Sequence, residues 1–453
     1  MPYIQIASLD RIDLPVDRIP ERWYNVLPDL PRMPEEYLDG TTGRPLPDEQ
    51  SARLFSPALV AQERSLERWV EIPGPVRDAY RMWRPTPLFR AVELERHLQT
   101  PAEIYFKYEG AGPAGSHKLN SALAQAYYAK RDGIRRLVTD TGAGQWGQAI
   151  ALACARFGLE LTVYMIRASY EHKPYRRILM ETYGAQVHPS PGPDTELGRK
   201  LLRESPQHPG SEGTAVSETM ETVLADPGAR MAVGAFSNFC LLHQSVVGLE
   251  TREQLELIDR EPDFLIASVG CGSNMGGFVN PWVADKLAGR EVTLLAAEST
   301  ACPTLTRGAY AWDYVDCAGS GPRVLSYSLG HDFIPPVIHA GGLRYHGCAP
   351  LLGLLRHEGL IDAVALRQSE VFATGKLMAR LHGYLPAPEA AHAIKAAIDV
   401  ALDCKQERRR AVIVACYSGH GLLDLAAYDE FNRGVLPEDV EPDLSTVPAE
   451  ALT

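Results

Sequence analysis

The sequence has no run of about 18 apolar residues, so a bilayer-spanning helix is not expected. Its opening, MPYIQIASLD, has neither a basic start nor a continuous apolar stretch, so no secretory leader is expected either. Basic charge is in deficit. Against 57 Asp+Glu stand 45 Lys+Arg, a formal net charge of −12, which leaves no basic stripe to neutralise nucleic-acid phosphates. The short arginine groups (Arg135 and Arg136, Arg176 and Arg177, Arg408 to Arg410) read as solvated faces. Paired cysteines are also missing. Cys154, Cys240, Cys271, Cys302, Cys317, Cys348, Cys404 and Cys416 stand singly, with no C-x-x-C and no Cys/His spacing suited to zinc. That pattern suits free thiols in a reducing cytoplasm. No internal repeat and no low-complexity tract is evident. The expectation is a cytoplasmic protein with no nucleic acid, membrane or metal among its partners.

What is present is the composition of a folded α/β chain, with 45% hydrophobic and 23% charged residues over 453 positions. That length admits about three units of ~150 residues, or one two-lobed enzyme. Residues 1–75 are rich in proline and aromatics without periodicity. Trp23, Tyr24, Leu27 and Leu30 make this an extended arm wrapped on a body. Strand and helix patterns then alternate. Strands are predicted at 104–108, 136–139, 159–166 and 186–188, with helices at 120–130, 148–157 and 174–183. A second series has strands at 264–269, 292–297 and 411–416 and an Ala-rich helix at 389–403. Two series predict two three-layer αβα lobes with mostly parallel sheets, and ligands bound at the carboxyl ends of the strands.

Two glycine-rich turns share one design, each after a strand and opening a helix: Thr141-Gly142-Ala143-Gly144-Gln145 and Gly270-Cys271-Gly272-Ser273-Asn274. Free N–H groups at a helix start, with the helix dipole behind them, favour an anion. Two such turns suggest two anions, such as a cofactor phosphate and a substrate carboxylate. Neither turn is a P-loop or a dinucleotide fingerprint. Tight helix–strand packing is the alternative reading of either turn. In Gly115-Ser116-His117-Lys118-Leu119-Asn120, a lysine at the positive end of a helix is pushed towards the neutral amine that a Schiff base needs. Ser418, at the end of a β-rich run, reads either as a helix cap or as a hydroxyl partner for a heteroaromatic ring nitrogen.

GSHKLN, TGAGQWG, GCGSN and YSGHG, in this order and spacing, resemble the tryptophan synthase β-subunit, a fold-type II pyridoxal-phosphate enzyme. WYNVLPDLP, WRPTPLFRA, SYEHKPYRR, LLHQSVVGLE, ACPTLTRG, LGHDFIPPVIHAGGLRYHG and PAPEAAHAIKAAID place the likeness closest to its second, longer β-like subfamily, over roughly residues 22–429. The resemblance implies four segments. Residues 1–83 are an arm and the start of the smaller lobe, and 84–116 belong to the larger lobe. Residues 117–240 form the smaller lobe with a mobile substrate-closing part, and 241–453 form the larger cofactor lobe. Lys118 would hold the cofactor and move the Cα proton, with His117 against the phosphate. Gly270, Cys271, Gly272, Ser273 and Asn274 would form the phosphate cup, where Cys271 replaces a usual glycine and is tolerated if its φ is negative. Thr141, Gly142, Ala143, Gly144 and Gln145 would bind the amino-acid carboxylate. Ser418 would meet the ring nitrogen. Asn120, Gln145 and Glu389 would be further cofactor contacts, and Glu389 reads equally as a helix N-terminal charge.

The implied reaction is a β-replacement on L-serine or O-phosphoserine through an aminoacrylate, with indole giving L-tryptophan. A homodimer is implied, while tight docking to an α-subunit and a monovalent cation stay open. One departure bears on the chemistry. The family carries glutamate where this sequence has Asp140, a carboxyl one methylene shorter. Either the pocket shifts inward so that Asp140 serves the same purpose, or the nucleophile is not indole, or serine is simply eliminated. A catalytically silent binding relative is a third reading, and the intact Lys118 argues against it. Leu119 and Phe239 are smaller departures, readable as altered walls or as core packing.

Overall fold

The computed structural model describes residues 10–437 and 440–449. Two parallel sheets organise the chain. The larger has seven strands in the order Arg11–Ile12, Leu88–Arg90, Glu103–Tyr108, Val412–Tyr417, Phe264–Ser268, Thr293–Ser299, Asp362–Leu366. Its last five strands run parallel, and the first two form an antiparallel edge. The smaller sheet is wholly parallel, in the order Gln186–Ser190, Glu160–Ile166, Arg136–Thr141, Ala229–Met231. Strands such as ELTVYMI and FLIAS are almost continuously buried because helices cover both faces, as expected of parallel sheets.

Strand order fixes where ligands can sit. From Arg136–Thr141 the chain crosses to Glu160–Ile166 on one side and later reaches Ala229–Met231 on the other. Phe264–Ser268 likewise lies between Thr293–Ser299 and Val412–Tyr417. Crossovers leaving a strand in opposite directions open a crevice at its carboxyl end. Both glycine-rich turns lie at such ends. Described residues of the arm lie on the body. Trp23, Tyr24 and Leu27 are buried in the same core cluster as the helices Leu119–Arg131 and Asn238–Leu257, and Leu30 packs against it. Among the described residues of the arm, Arg11–Ile12 pairs with Leu88–Arg90 and forms the edge of the larger sheet.

The predicted strands and helices appear with ends moved by a few residues. Gln145–Phe157 begins at the glycine turn itself, and Pro388–Glu407 runs four residues beyond the predicted end. The 20-residue helix Asn238–Leu257 was not anticipated. It is buried on nearly all sides and carries His243, Gln244, Ser245, Glu250, Thr251 and Gln254 inside, so no apolar stripe marks it. An antiparallel ribbon, Ala309–Tyr314 with Arg323–Ser328, also had no separate signal. Among the described residues no helix is long and apolar enough to cross a membrane. All eight cysteines are free. Six are buried, and Cys271 and Cys317 are partly exposed.

Candidate active site

Each glycine-rich turn delivers its helix through a left-handed glycine at the N-cap. Gly144 (φ 95°) precedes Gln145–Phe157, and Gly272 (φ 123°) precedes Ser273–Leu287. A side chain would be strained at either φ. Cys271 is not among the non-glycine residues with positive φ, so the cysteine sits where an L-residue is accommodated. Gly270 has no room for a side chain, since a β-carbon there would lie 2.2 Å from the Gly342 carbonyl oxygen.

Two adjoining cavities occupy the crevice. The smaller, of about 40 Å³, is lined by Gly270 to Asn274 together with Ser116, His117, Glu389 and Ser418. The larger, of about 410 Å³, is lined by Asp140, Thr141, Gly142 and Ala143, with apolar walls that include Leu54, Val216 and Phe239. Lys118, Gln145, Cys271 and Gly342 line both, so Lys118 stands at their junction. It is the N-cap of Leu119–Arg131. Leu119 and Phe239 both belong to the core, and Phe239 is also a wall of the larger cavity.

His117 is fixed from two sides. Its backbone N–H donates to the Ser418 carbonyl oxygen (2.9 Å), and its ring Nδ1 lies 3.3 Å from the same oxygen. A carbonyl only accepts, so Nδ1 carries the proton. Burial, with the Lys118 charge beside it, pulls the imidazole down to about 3, so the ring is neutral. Its Nε2 is buried without a partner, as is Ser116 Oγ. Ser418 is not the N-cap of any described helix and lines the small cavity. Glu389 lies in the first turn of Pro388–Glu407, as its helix-charge reading requires. It also joins the two lobes, accepting from Gln145 Nε2 (2.8 Å) and from the Gly342 N–H (2.9 Å).

Two predicted contacts are differently engaged. The Asn120 side chain accepts from Arg84 (2.8 Å) and donates to Gln244 (3.0 Å), and it lines neither cavity. It belongs to a buried network with Arg84, Lys107, Glu109 and Glu250, because the next turn of the helix carries it into the core. Asn274 uses its side chain on Ser268 and receives Cys416 Sγ–H, leaving its backbone N–H at the helix start for a ligand. Arg176 corrects the reading of a solvated face. It is buried and donates twice to Asp424 (2.8 and 2.6 Å), which Lys173 also reaches (2.9 Å).

Asp140 is the penultimate residue of Arg136–Thr141, an inner strand of the smaller sheet. Burial pushes its carboxyl up to about 6, although its own backbone N–H and the Lys118 charge pull the other way. Sequence reasoning missed Glu212, at the first position of Glu212–Ala225, which lines the same cavity. Burial and then the Asp140 charge push it up to about 8, against Lys118 and Arg344. Its capping context, Ser211 to Thr214, marks only an ordinary helix start.

A buried Nε2 and a buried hydroxyl without partners, beside a helix start rich in N–H groups, fit a phosphorylated ligand. An amine lies at the other edge of that cavity. Comparison with known proteins agrees. A family model described as pyridoxal-phosphate dependent enzyme matches residues 80–419. Tryptophan synthase beta chain 2 of Pyrococcus abyssi is 53% identical over 95% of this chain and 98% of its own length. Its namesake from Thermotoga maritima is 52% identical over 92% and 99%. Among solved structures, a threonine deaminase from T.th. (TM-score 0.54, 19% identity, 76% of this chain and 97% of that one) shares the fold. So does a fungal L-serine ammonia-lyase from Rhizomucor miehei (0.56, 16%, 77% and 97%). With full-length identity above one half and a lysine lining both of the cavities that the two glycine-rich turns wall, the chain belongs to the tryptophan synthase β-chain family of pyridoxal-phosphate enzymes.

Proposed function

We propose that the protein condenses L-serine with indole to give L-tryptophan, with Lys118 and Asp140 as its catalytic residues. The observation that carries this reading is the position of Lys118, between a cavity walled by the glycine cup and a cavity walled by Asp140 and the 141–145 loop. Pyridoxal phosphate supplies an electrophilic aldehyde and a conjugated ring that spreads the negative charge developing at an amino acid's α-carbon.

The chain's own residues do the rest. His117 and the N–H groups from Gly270 to Asn274 would hold the phosphate, and the Ser418 hydroxyl would be the partner of the ring nitrogen, which a hydroxyl leaves unprotonated. Glu389 ties this half to Gln145. The N–H groups from Thr141 to Gln145, at a helix start, bind the serine carboxylate. Lys118 takes up and returns the α-proton. Asp140 protonates the departing hydroxyl and then accepts the indole N–H, and the apolar walls of the larger cavity hold the ring and exclude water. A cytoplasmic homodimer is part of the same reading. The exposed Leu422, Leu425 and Val435 around the helix Leu425–Arg433 offer apolar surface of the kind a subunit contact covers. The test is to supply the holoenzyme with serine and indole and identify the product by mass spectrometry. Tryptophan is expected, and its absence at saturating indole sinks the reading. Light scattering checks the dimer.

A further inference from the structure

The helix Glu212–Ala225 presents Glu212, Val216 and Met220, four residues apart, to the larger cavity. That spacing places the three on one helix face. Val216 and Met220 are the apolar wall an aromatic ring needs. The first position is a carboxyl. Its Oε2 is buried without a hydrogen-bond partner and lies against the Gly142 loop, 3.2 Å from where a β-carbon on Gly142 would stand. The arginine whose charge reaches it gives it no hydrogen bond, since Arg344 NH2 donates to the Pro335 carbonyl oxygen (2.9 Å) and Arg344 Nε is itself unpartnered.

Indole has a single N–H, and Asp140 is enough to receive it. A second carboxyl in an apolar cavity is then unsatisfied, and a buried polar group without a partner is the exception in native proteins. The cavity, at about 410 Å³, is within the range that holds ligands larger than a bare bicyclic ring. We infer that Glu212 is a specificity-determining residue for the nucleophile, and that the cavity selects an indole whose benzo ring carries a second hydrogen-bond donor, an amino or hydroxyl group. Asp140 receives the ring N–H and Glu212 the substituent. The raised proton affinity of Glu212 keeps it neutral beside the loop that binds the serine carboxylate, so it does not repel that group. The inference rests on the β-replacement reading and deepens it.

The test has two arms. Calorimetric titration of the serine-free holoenzyme compares the Kd of indole with those of 4-, 5-, 6- and 7-aminoindole and the matching hydroxyindoles. Turnover with serine then gives kcat/KM for the same panel in the wild type, Glu212→Leu and Glu212→Gln. At least one substituted indole should bind about tenfold or more tighter than indole in the wild type and be used preferentially by a similar factor. That ratio should collapse in Glu212→Leu, while Glu212→Gln retains part of it. Equal binding of indole and every analogue, or a ratio that Glu212→Leu leaves in place, overturns the inference. The wild-type binding arm decides even if Glu212→Leu fails to fold. Failure of all turnover with a clear binding preference would instead strike the β-replacement reading.

Discussion

Two groups of buried charges border the helix that Lys118 opens, and they are treated in opposite ways. In the first, Arg84, Lys107, Glu109 and Glu250 have no side-chain exposure, and every charge is paired. Arg84 donates to Glu250 through Nε and NH2 (both 2.8 Å) and to Glu109 (2.9 Å). Lys107 reaches Glu250 (2.8 Å), Gln254 and the Thr86 carbonyl. Burial works against the ionised Glu109, but the Arg84 and Lys107 charges outweigh it and hold the carboxyl down at about 2. In the second group, Asp140 and Glu212 face a cavity, and burial drives both upward, to about 6 and about 8. The same residue types thus form a network in which every charge is paired and a cavity wall on which the Glu212 carboxyl is left without a partner.

Breaking each group should give effects that differ in kind. The largest is expected at the junction itself. Lys118→Ala should lower tryptophan formation by on the order of 10²–10⁴-fold or more while leaving thermal unfolding intact, because it removes the only amine shared by both cavities among the described residues. Steady-state kinetics beside a melting curve checks this, and wild-type activity would move the site elsewhere. Arg84→Ala should cost stability by about 3–5 kcal/mol in chemical denaturation, because it strands the buried Glu109 carboxylate and leaves Glu250 with Lys107 alone. Asp140→Asn should keep the fold and lower kcat/KM for indole by on the order of 100-fold. Its pH profile adds a sign. An ionised Asp140 holds the indole N–H more strongly than a protonated one, so at saturating serine the wild-type kcat/KM for indole should fall as pH drops through about 6, and that fall should vanish in the variant.

The smallest effect runs the opposite way. Glu212 has a folded-state affinity for protons above its ordinary value of 4.5, so its contribution to stability is complete below pH 4.5 and is lost as pH rises through about 8. Glu212→Gln should therefore match the wild type near pH 4.5 and be more stable by about 1–3 kcal/mol at pH 9. Destabilisation at pH 9 would mean that the Glu212 carboxyl is paired after all, and would erase the contrast between the two groups.

Much of the site was legible because its parts are local. A strand, a glycine turn and a helix start are contiguous in sequence, so residues 141–145 and 270–274 announce themselves by spacing alone. Lys118 and His117, at a helix start, were legible for the same reason, whereas Asp140 was picked out only by the resemblance to the family. Asn120 was misread because sequence gives proximity to Lys118 but not the direction of a side chain, and two residues on a helix differ by about half a turn. Arg176 was misread because its partner, Asp424, is 248 residues away. Glu212 carried no signal at all: an acid at the first helical position is ordinary, and only the cavity opposite makes it unusual.

By itself the sequence determined the alternation of strands and helices, the two glycine-rich turns and the lysine at a helix start. These follow from periodicity, backbone freedom or charge within a short segment, while the cofactor class came from the resemblance to a family. Only the tertiary structure decided which buried charges are saturated and which are left facing a ligand. That property depends on partners brought together from distant segments, and burial raises the cost of every mismatch between them.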